Sequence, residues 1–166
     1  MNRFIHQRHK TPTPLERPRE LVLVCAPMRS KVNLSRIVRA AGCSGVQRVI
    51  ACGAAKIDRK IARDGADTVH LDLRRTMLPA LQRLREDGFR LVGLEQTSQS
   101  SSLHDYQFRS RTALVIGNER SGLDDDALAI LDDVVEIPVY GMPFSYNVGT
   151  AAAMALYEYC RQFPRG

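Results

Sequence analysis

From residue 21 onward the chain alternates short apolar runs with amphipathic stretches, and this alternation restricts the fold more than any other feature. LVLVC (21–25), VQRVIAC (46–52), DTVHL (67–71), FRLVGLE (89–95), TALVIG (112–117) and VVEIPV (134–139) have strand length and aliphatic, often β-branched character. Between them, NLSRIVRAA (33–41) sets Leu34, Ile37, Val38 and Ala41 on one helical stripe, with Asn33 as the expected N-cap. KIDRKIARDG (56–65) reads as a short helix stopped by glycine. Residues 74–87 align Met77, Ala80, Leu81 and Leu84, and DDDALAIL (124–131) reads as another helix. QTSQSSSLHDYQF (96–108) reads as a polar loop, and Val148, Ala151, Ala152, Ala155, Leu156 and Tyr159 make a last helical face. The pattern implies an α/β fold with a mostly parallel sheet flanked by helices. Such sheets bind ligands beyond the carboxyl ends of their strands, so the loops after Glu95, Gly117 and Val139 are the ones to search.

At 166 residues, 44% hydrophobic and 25% charged, the chain suits one globular domain with a buried core. It has no run near the ~18 apolar residues of a membrane span, and its first twenty residues have no apolar signal-peptide core. A cytoplasmic protein without a membrane partner is therefore expected. The net charge of +6 favours a polyanionic partner. Half of it lies in residues 1–20, where Arg3, Arg8, Lys10, Arg17 and Arg19 outnumber Glu16 and Glu20, and Pro12, Pro14 and Pro18 oppose regular structure. This segment reads either as a basic arm contacting phosphates, with Arg8 and Lys10 foremost, or as a solvated tail; residues 21–166 form the domain proper. Cys25, Cys43, Cys52 and Cys160 make no CxxC pair and the four histidines no HxxxH spacing, so buried free thiols and no metal are expected.

Familiar nucleotide signatures are missing. No GxGxxG follows a strand, and in GNERSGL (117–123) Leu123 stands where a P-loop needs lysine. Three other segments carry polar groups to the right places. In NLSRIVRAAG (33–42), Arg36 and Arg39 share the face opposite the apolar stripe, where two guanidiniums could hold a phosphate or simply be solvated. In LVIGNERSGL (114–123), a buried strand ends in Gly117, and Asn118, Glu119 and Arg120 crowd its carboxyl end. In IPVYGMPFSYNVGTAAAMALYEY (137–159), a loop holding Ser145 and Asn147 enters a helix whose alanines permit close packing.

In this order and spacing, Asn33 to Ala40, Gly117 to Gly122 and Ile137 to Glu158 resemble the motifs of the SpoU (TrmH) group of the SPOUT methyltransferases, over residues 21–162. The resemblance implies a deep C-terminal trefoil knot, a rare topology, built from roughly residues 112–160. It implies S-adenosylmethionine bound in the knot against Leu94, Gly117, Ile137, Met142 and Tyr146, and an obligate homodimer with the site at the interface. The implied reaction is transfer of a methyl group to a ribose 2′-hydroxyl of RNA. Asn33, Arg39, Glu119, Ser145 and Asn147 match the family's catalytic positions, and Arg36 and Arg120 are further RNA contacts. The family account makes Arg39 the base that takes the hydroxyl proton. A guanidinium, with its pKa above ~12, suits equally a role of clamping phosphate and stabilising the developing oxyanion. Ser145 and Asn147 would orient the ribose or the loop, and Glu119 would orient Arg39 or a neighbour.

EQT (95–97) ahead of GNER looks closest to the branch that methylates a D-loop guanosine of tRNA. Ribosomal RNA is the alternative substrate, and a non-catalytic RNA-binding protein on the same fold is the alternative class; the intact polar set argues against the latter. Two departures from the usual motifs stand out. Tyr146 and Gly149 replace the common leucine and serine, and Ala40 replaces a common threonine. Glycine near a helix start costs about 1 kcal/mol relative to alanine.

Overall fold

The computed structural model describes residues 3–166. Seven parallel strands form one sheet in the order β3-β2-β1-β6-β4-β7-β5. They are β1 (Leu21–Cys25), β2 (Arg48–Cys52), β3 (His70–Arg74), β4 (Arg90–Leu94), β5 (Ser101–Ser102), β6 (Thr112–Ile116) and β7 (Asp133–Glu136). The helices are α1 (Lys31–Cys43), α2 (Arg59–Ala62), α3 (Gly65–Thr68), α4 (Leu78–Glu86), α5 (Asp125–Ile130) and α6 (Val148–Gln162).

Strand alternation sorts the core into two layers. Leu21, Leu23 and Cys25 of β1 face a cluster containing Leu34, Ile37 and Val38 of α1 and Ala155, Leu156 and Tyr159 of α6. Val22 and Val24 face Leu81 and Leu84 of α4 and Ala127 of α5. The central strands β1 and β6 are buried along their whole length, as their unbroken apolar runs require. The edge strand β3 carries Asp72, paired with Arg48 at 2.7 Å and Arg74 at 2.8 Å. Such charged pairs blunt the open edge. At the other end, Asp133 of β7 accepts from Arg90 Nη2 at 2.9 Å and from the Tyr106 hydroxyl at 2.7 Å. The Arg90 hydrogen bond outweighs burial and, with Tyr106, holds the Asp133 carboxyl below the ordinary range. Its stabilisation is therefore complete above the unfolded carboxyl's pKa and fades as pH falls through the lowered folded value. In Asp133→Asn, unfolding midpoints should depend less on pH in that acid window; an unchanged profile would contradict this.

Several element boundaries differ from the sequence expectation, each for a local reason. The first helix begins at Lys31 rather than Asn33. Ser30, in extended conformation, is the N-cap and accepts the Asn33 N–H at 3.2 Å, so Asn33 lies inside the helix and is buried. The expected strand at 67–71 moves to 70–74, because Gly65–Thr68 forms a helical turn. The expected helix at 56–65 is cut to Arg59–Ala62, capped by Asp58. The helix in 74–87 waits until Leu78, with Pro79 in its first turn where no N–H is needed. The polar loop 96–108 contributes β5, and the last strand stops at Glu136, ahead of Pro138, which has no ladder N–H to offer. Cys25 and Cys52 are buried, and burial pushes their thiols up to about 12 and about 11. Cys43, by contrast, is exposed and Cys160 half-buried.

Candidate active site

A cavity of ≈ 270 Å³ opens at the carboxyl ends of β4, β6 and β7, close to the lower limit of about 300 Å³ for small-molecule pockets. Its walls come from the three loops that the α/β pattern singles out. Leu94, Glu95 and Gln96 follow β4; Gly117 to Arg120 and Gly122 follow β6; Glu136, Ile137 and Val139 lead from β7 to Ser145 and Tyr146, with Val148 and Ala151 of α6 behind.

The wall after β6 is a tight turn. Asn118 and Gly122 exchange backbone hydrogen bonds of 2.9 and 3.0 Å. A Cβ on Gly117 would lie 2.6 Å from the Gly122 carbonyl carbon and 2.8 Å from Leu123 N, so only glycine fits. Asn118 Oδ1 accepts from the N–H groups of Arg120 and Ser121, while its Nδ2 donates to Pro27 O at 2.7 Å. The Glu119 carboxylate accepts from Ser30 N–H at 2.7 Å and Arg29 N–H at 3.4 Å. Burial favours its neutral form. The N–H groups of Glu119, Ser30 and Arg29, followed by the Arg120 charge, reverse that and hold the carboxyl below its ordinary value. Glu119 therefore ties the turn to the start of α1 and forms no hydrogen bond with Arg39.

Asn33 and Asn147 meet. Asn147 Nδ2 donates to Asn33 Oδ1 at 3.1 Å, and Asn147 Oδ1 caps α6 by accepting Gly149 N–H at 3.0 Å. A Cβ on Gly149 would sit 3.4 Å from Arg36 Cβ and 3.7 Å from Asn33 O. A side chain here would meet α1 only at ordinary contact distance, so nothing in the packing explains the departure from serine.

Of the expected donor contacts, Leu94, Gly117, Ile137 and Tyr146 line the cavity; Met142 does not, and is 75% exposed. Of the polar set, Glu119, Ser145 and Arg120 line it, whereas Asn33, Arg39 and Asn147 do not. Arg36 and Arg39 are exposed on α1. Glu95, Gln96, Asn118 and Glu136 also line the cavity, and the sequence motifs do not assign them to the site. Their places just past strand ends are the signal that points to them. Tyr140, Met142 and Phe144 of residues 139–147, and Met154 and Tyr157 of α6, are exposed.

Within the basic segment, residues 3–14 are exposed, but the stretch from Leu15 is docked. Arg19 is 9% exposed and donates to Ser44 O at 2.7 Å and to Phe163 O; Arg17 donates to Gly166 O at 2.9 Å. Arg8 and Lys10 are exposed, and residues 1–2 lie outside the described residues. Among the described residues no group of three or more His, Cys, Asp or Glu side chains is placed to hold a metal, and no helix is long and apolar enough to cross a membrane.

The family model for SpoU rRNA methylases matches residues 20–157. The chain belongs to the SpoU rRNA methylase family. A tRNA (guanosine(18)-2′-O)-methyltransferase from Aquifex aeolicus is 28% identical over 151 residues, covering 89% of this chain and 72% of that protein. The crystal structure of the A. aeolicus TrmH/SpoU tRNA modifying enzyme superimposes with a TM-score of 0.84 at 28% identity, over 90% of this chain and 78% of that one. The SpoU methyltransferase AviRb from Streptomyces viridochromogenes, in complex with the cofactor AdoMet, matches with a TM-score of 0.74 at 28% identity, over 92% of this chain and 64% of that one. An 82-residue stretch is 42% identical to mouse TARBP1, named tRNA (guanosine(18)-2′-O)-methyltransferase, covering 49% of this chain and 5% of that protein. The chain thus spans less than two thirds of some of its relatives. The α/β sheet expected from the sequence is the fold of this family.

Proposed function

We propose that this protein is an S-adenosylmethionine-dependent RNA 2′-O-ribose methyltransferase of the cytoplasm, acting on tRNA at a D-loop guanosine. The observation that carries the reading is the cavity at the carboxyl ends of β4, β6 and β7, where Gly117, Ile137, Ser145 and Tyr146 of the family motifs converge with Leu94.

The lining suits the methyl donor. Leu94, Ile137, Val148 and Ala151 offer an apolar surface to an adenine, backbone groups around Gly117 offer hydrogen bonds, and Glu119 and Glu136 favour a cation. S-adenosylmethionine supplies a methyl group on a sulfonium, a good leaving group, so much of the rate comes from positioning. The protein's task is to hold the ribose hydroxyl in line while its proton passes to solvent water or to the RNA phosphate that Arg39 holds. Ser145, exposed at the rim, orients the ribose. Asn147 and Asn33 fix the entry of α6 against α1 rather than touching the reacting atoms. Arg39 clamps an RNA phosphate and stabilises charge developing on the oxygen, since a guanidinium is a poor base.

Arg39 does not line the cavity of its own chain, and several apolar side chains of residues 139–147 and α6 are exposed. A homodimer accounts for both, with Arg39 of one subunit completing the partner's site. The C-terminal knot belongs to the same reading; its support is the family resemblance over residues 21–162. The exposed stretch 3–14 supplements phosphate binding. Because Arg17 and Arg19 hold backbone carbonyls, deleting residues 2–13 tests the arm without disturbing the fold. RNA affinity should fall, and the salt slope should flatten by about 0.7–0.9 for each phosphate that the arm no longer neutralises. Unchanged affinity and slope would discard the arm. Arg19→Ala should instead lower stability by about 1.5–3 kcal/mol, the range for hydrogen bonds to charged groups, and leave the salt slope alone.

The substrate is tested by methyl transfer from labelled S-adenosylmethionine to total tRNA and, separately, to ribosomal RNA. Label confined to tRNA, and abolished when the D-loop guanosine is replaced, is the expected result. Label only in ribosomal RNA would keep the chemistry and overturn the substrate. No label in either, together with no donor binding, would favour a non-catalytic RNA-binding protein.

A further inference from the structure

We infer that Glu95 and Gln96 are positioning residues that hold the two loop walls of the donor cavity at a fixed separation. The inference rests on the reading of that cavity as the S-adenosylmethionine site. The two residues are adjacent at the carboxyl end of β4 and reach in different directions. Glu95 Oε2 accepts the Leu123 N–H at 3.1 Å, pinning the end of the turn that starts at Gly117. Its other oxygen accepts Gln96 N–H at 3.0 Å, which fixes the carboxylate's orientation. A Cβ on Gly122 (φ +67°) would fall on the Glu95 carboxylate, so a side chain there would displace it. Gln96 Nε2 donates to Phe144 O at 3.3 Å, on the opposite wall.

That opposite wall has little else to hold it. Residues 140–147 are exposed throughout. Among the described residues, two side-chain hydrogen bonds connect residues 139–147 to earlier elements: Gln96 to Phe144, and Asn147 to Asn33. Together with Glu119 on Ser30, these contacts close a ring around the cavity, from β4 to the turn, to α1, to α6 and back through Gln96 to β4. Removing a member lets the walls part while the sheet beneath is untouched. The ring therefore acts on donor affinity and leaves the methyl-transfer step and the folded core alone.

The test compares Gln96→Ala, Glu95→Ala and Glu95→Gln with the wild type by calorimetric S-adenosylmethionine binding, steady-state methyl transfer and thermal unfolding. Gln96→Ala should raise Kd and KM for the donor about fivefold, the worth of one neutral hydrogen bond. Glu95→Ala should raise both about tenfold or more, since an ionised acceptor is removed. Glu95→Gln should recover part of the loss, because its amide oxygen still accepts from Leu123. In all three, kcat at saturating donor and the unfolding midpoint should stay near wild type. Donor affinities within twofold of wild type would overturn the inference, as would losses appearing only in kcat or tracking a fall in the unfolding midpoint. If the wild type bound no S-adenosylmethionine at all, the functional reading would fall first and this inference with it. Wild-type binding with unaffected variants would sink the inference alone.

Discussion

Arg39→Ala is expected to lower methyl transfer to RNA by about 10²–10³-fold, the range seen when a donor to a developing oxyanion is removed, while S-adenosylmethionine binding stays at the wild-type level. The reason is positional. Arg39 is exposed on α1, and the cavity lining of its own chain does not include it. Its loss removes a phosphate clamp and a charge that acts on the ribose oxygen, without altering the donor's walls. Arg39→Lys should recover only a small part, because an ammonium lacks the planar fork that grips phosphate in two places. Donor binding that falls in parallel with activity would place Arg39 in the donor pocket and contradict this role. Activity within a few-fold of wild type would remove it from the mechanism.

The second large effect is expected at Gly117. A Cβ there would stand 2.6 Å from the Gly122 carbonyl carbon and 2.8 Å from Leu123 N, both backbone atoms with no side-chain freedom to yield. Gly117→Ala must push the Asn118–Gly122 turn away from β6. Overpacking of this kind costs about 1–3 kcal/mol of stability. The larger consequence is functional, because the displaced turn forms one wall of the cavity. Donor binding should weaken by well over tenfold, beyond either Glu95 or Gln96 variant, measured by calorimetry on protein that still unfolds cooperatively. Binding within threefold of wild type would show that the turn does not bear on the donor.

The two variants also test the shared site together. A heterodimer of Arg39→Ala with Gly117→Ala contains one site with an intact cavity and an intact partner arginine. Refolding an equal mixture should give about half heterodimers and hence about a quarter of wild-type activity, if a twofold assembly shares its sites. A mixture no better than its inactive components would place Arg39 and the cavity in the same chain's site.

Much of the fold is legible because the core speaks through periodicity. Strands β1, β4 and β6 fall within a residue or two of their apolar runs, since burial on both faces leaves no alternative pattern. The edge is harder to read. At β3 the run 67–71 has the look of a strand, but the half-exposed, charged segment His70–Arg74 is what pairs with β2. Edge strands are only partly buried, so their sequences carry a weaker signal. Asn33 shows a different failure. It is a good N-cap by type, yet Ser30 lies three residues earlier, and the asparagine is used to meet Asn147, 114 positions away in sequence. No local rule reports a partner that distant. The motifs locate the three loops around the cavity. They do not reveal what Glu95 and Gln96 do, because a side chain tying two loops together is visible only once the loops are folded. Likewise Arg17 and Arg19 count as basic charge in the sequence but serve the C-terminal carbonyls in the structure.

The central claim is that this chain moves a methyl group from S-adenosylmethionine to a ribose 2′-hydroxyl of RNA. The most direct measurement is alkaline hydrolysis of RNA labelled by the purified protein, followed by separation of the products. Methylation of the 2′-oxygen removes the nucleophile that cleaves the adjacent phosphodiester, so the label is expected in an alkali-resistant dinucleotide, and absent when Arg39→Ala replaces the wild type. Label recovered in a mononucleotide, with the methyl group on a base, would contradict the account.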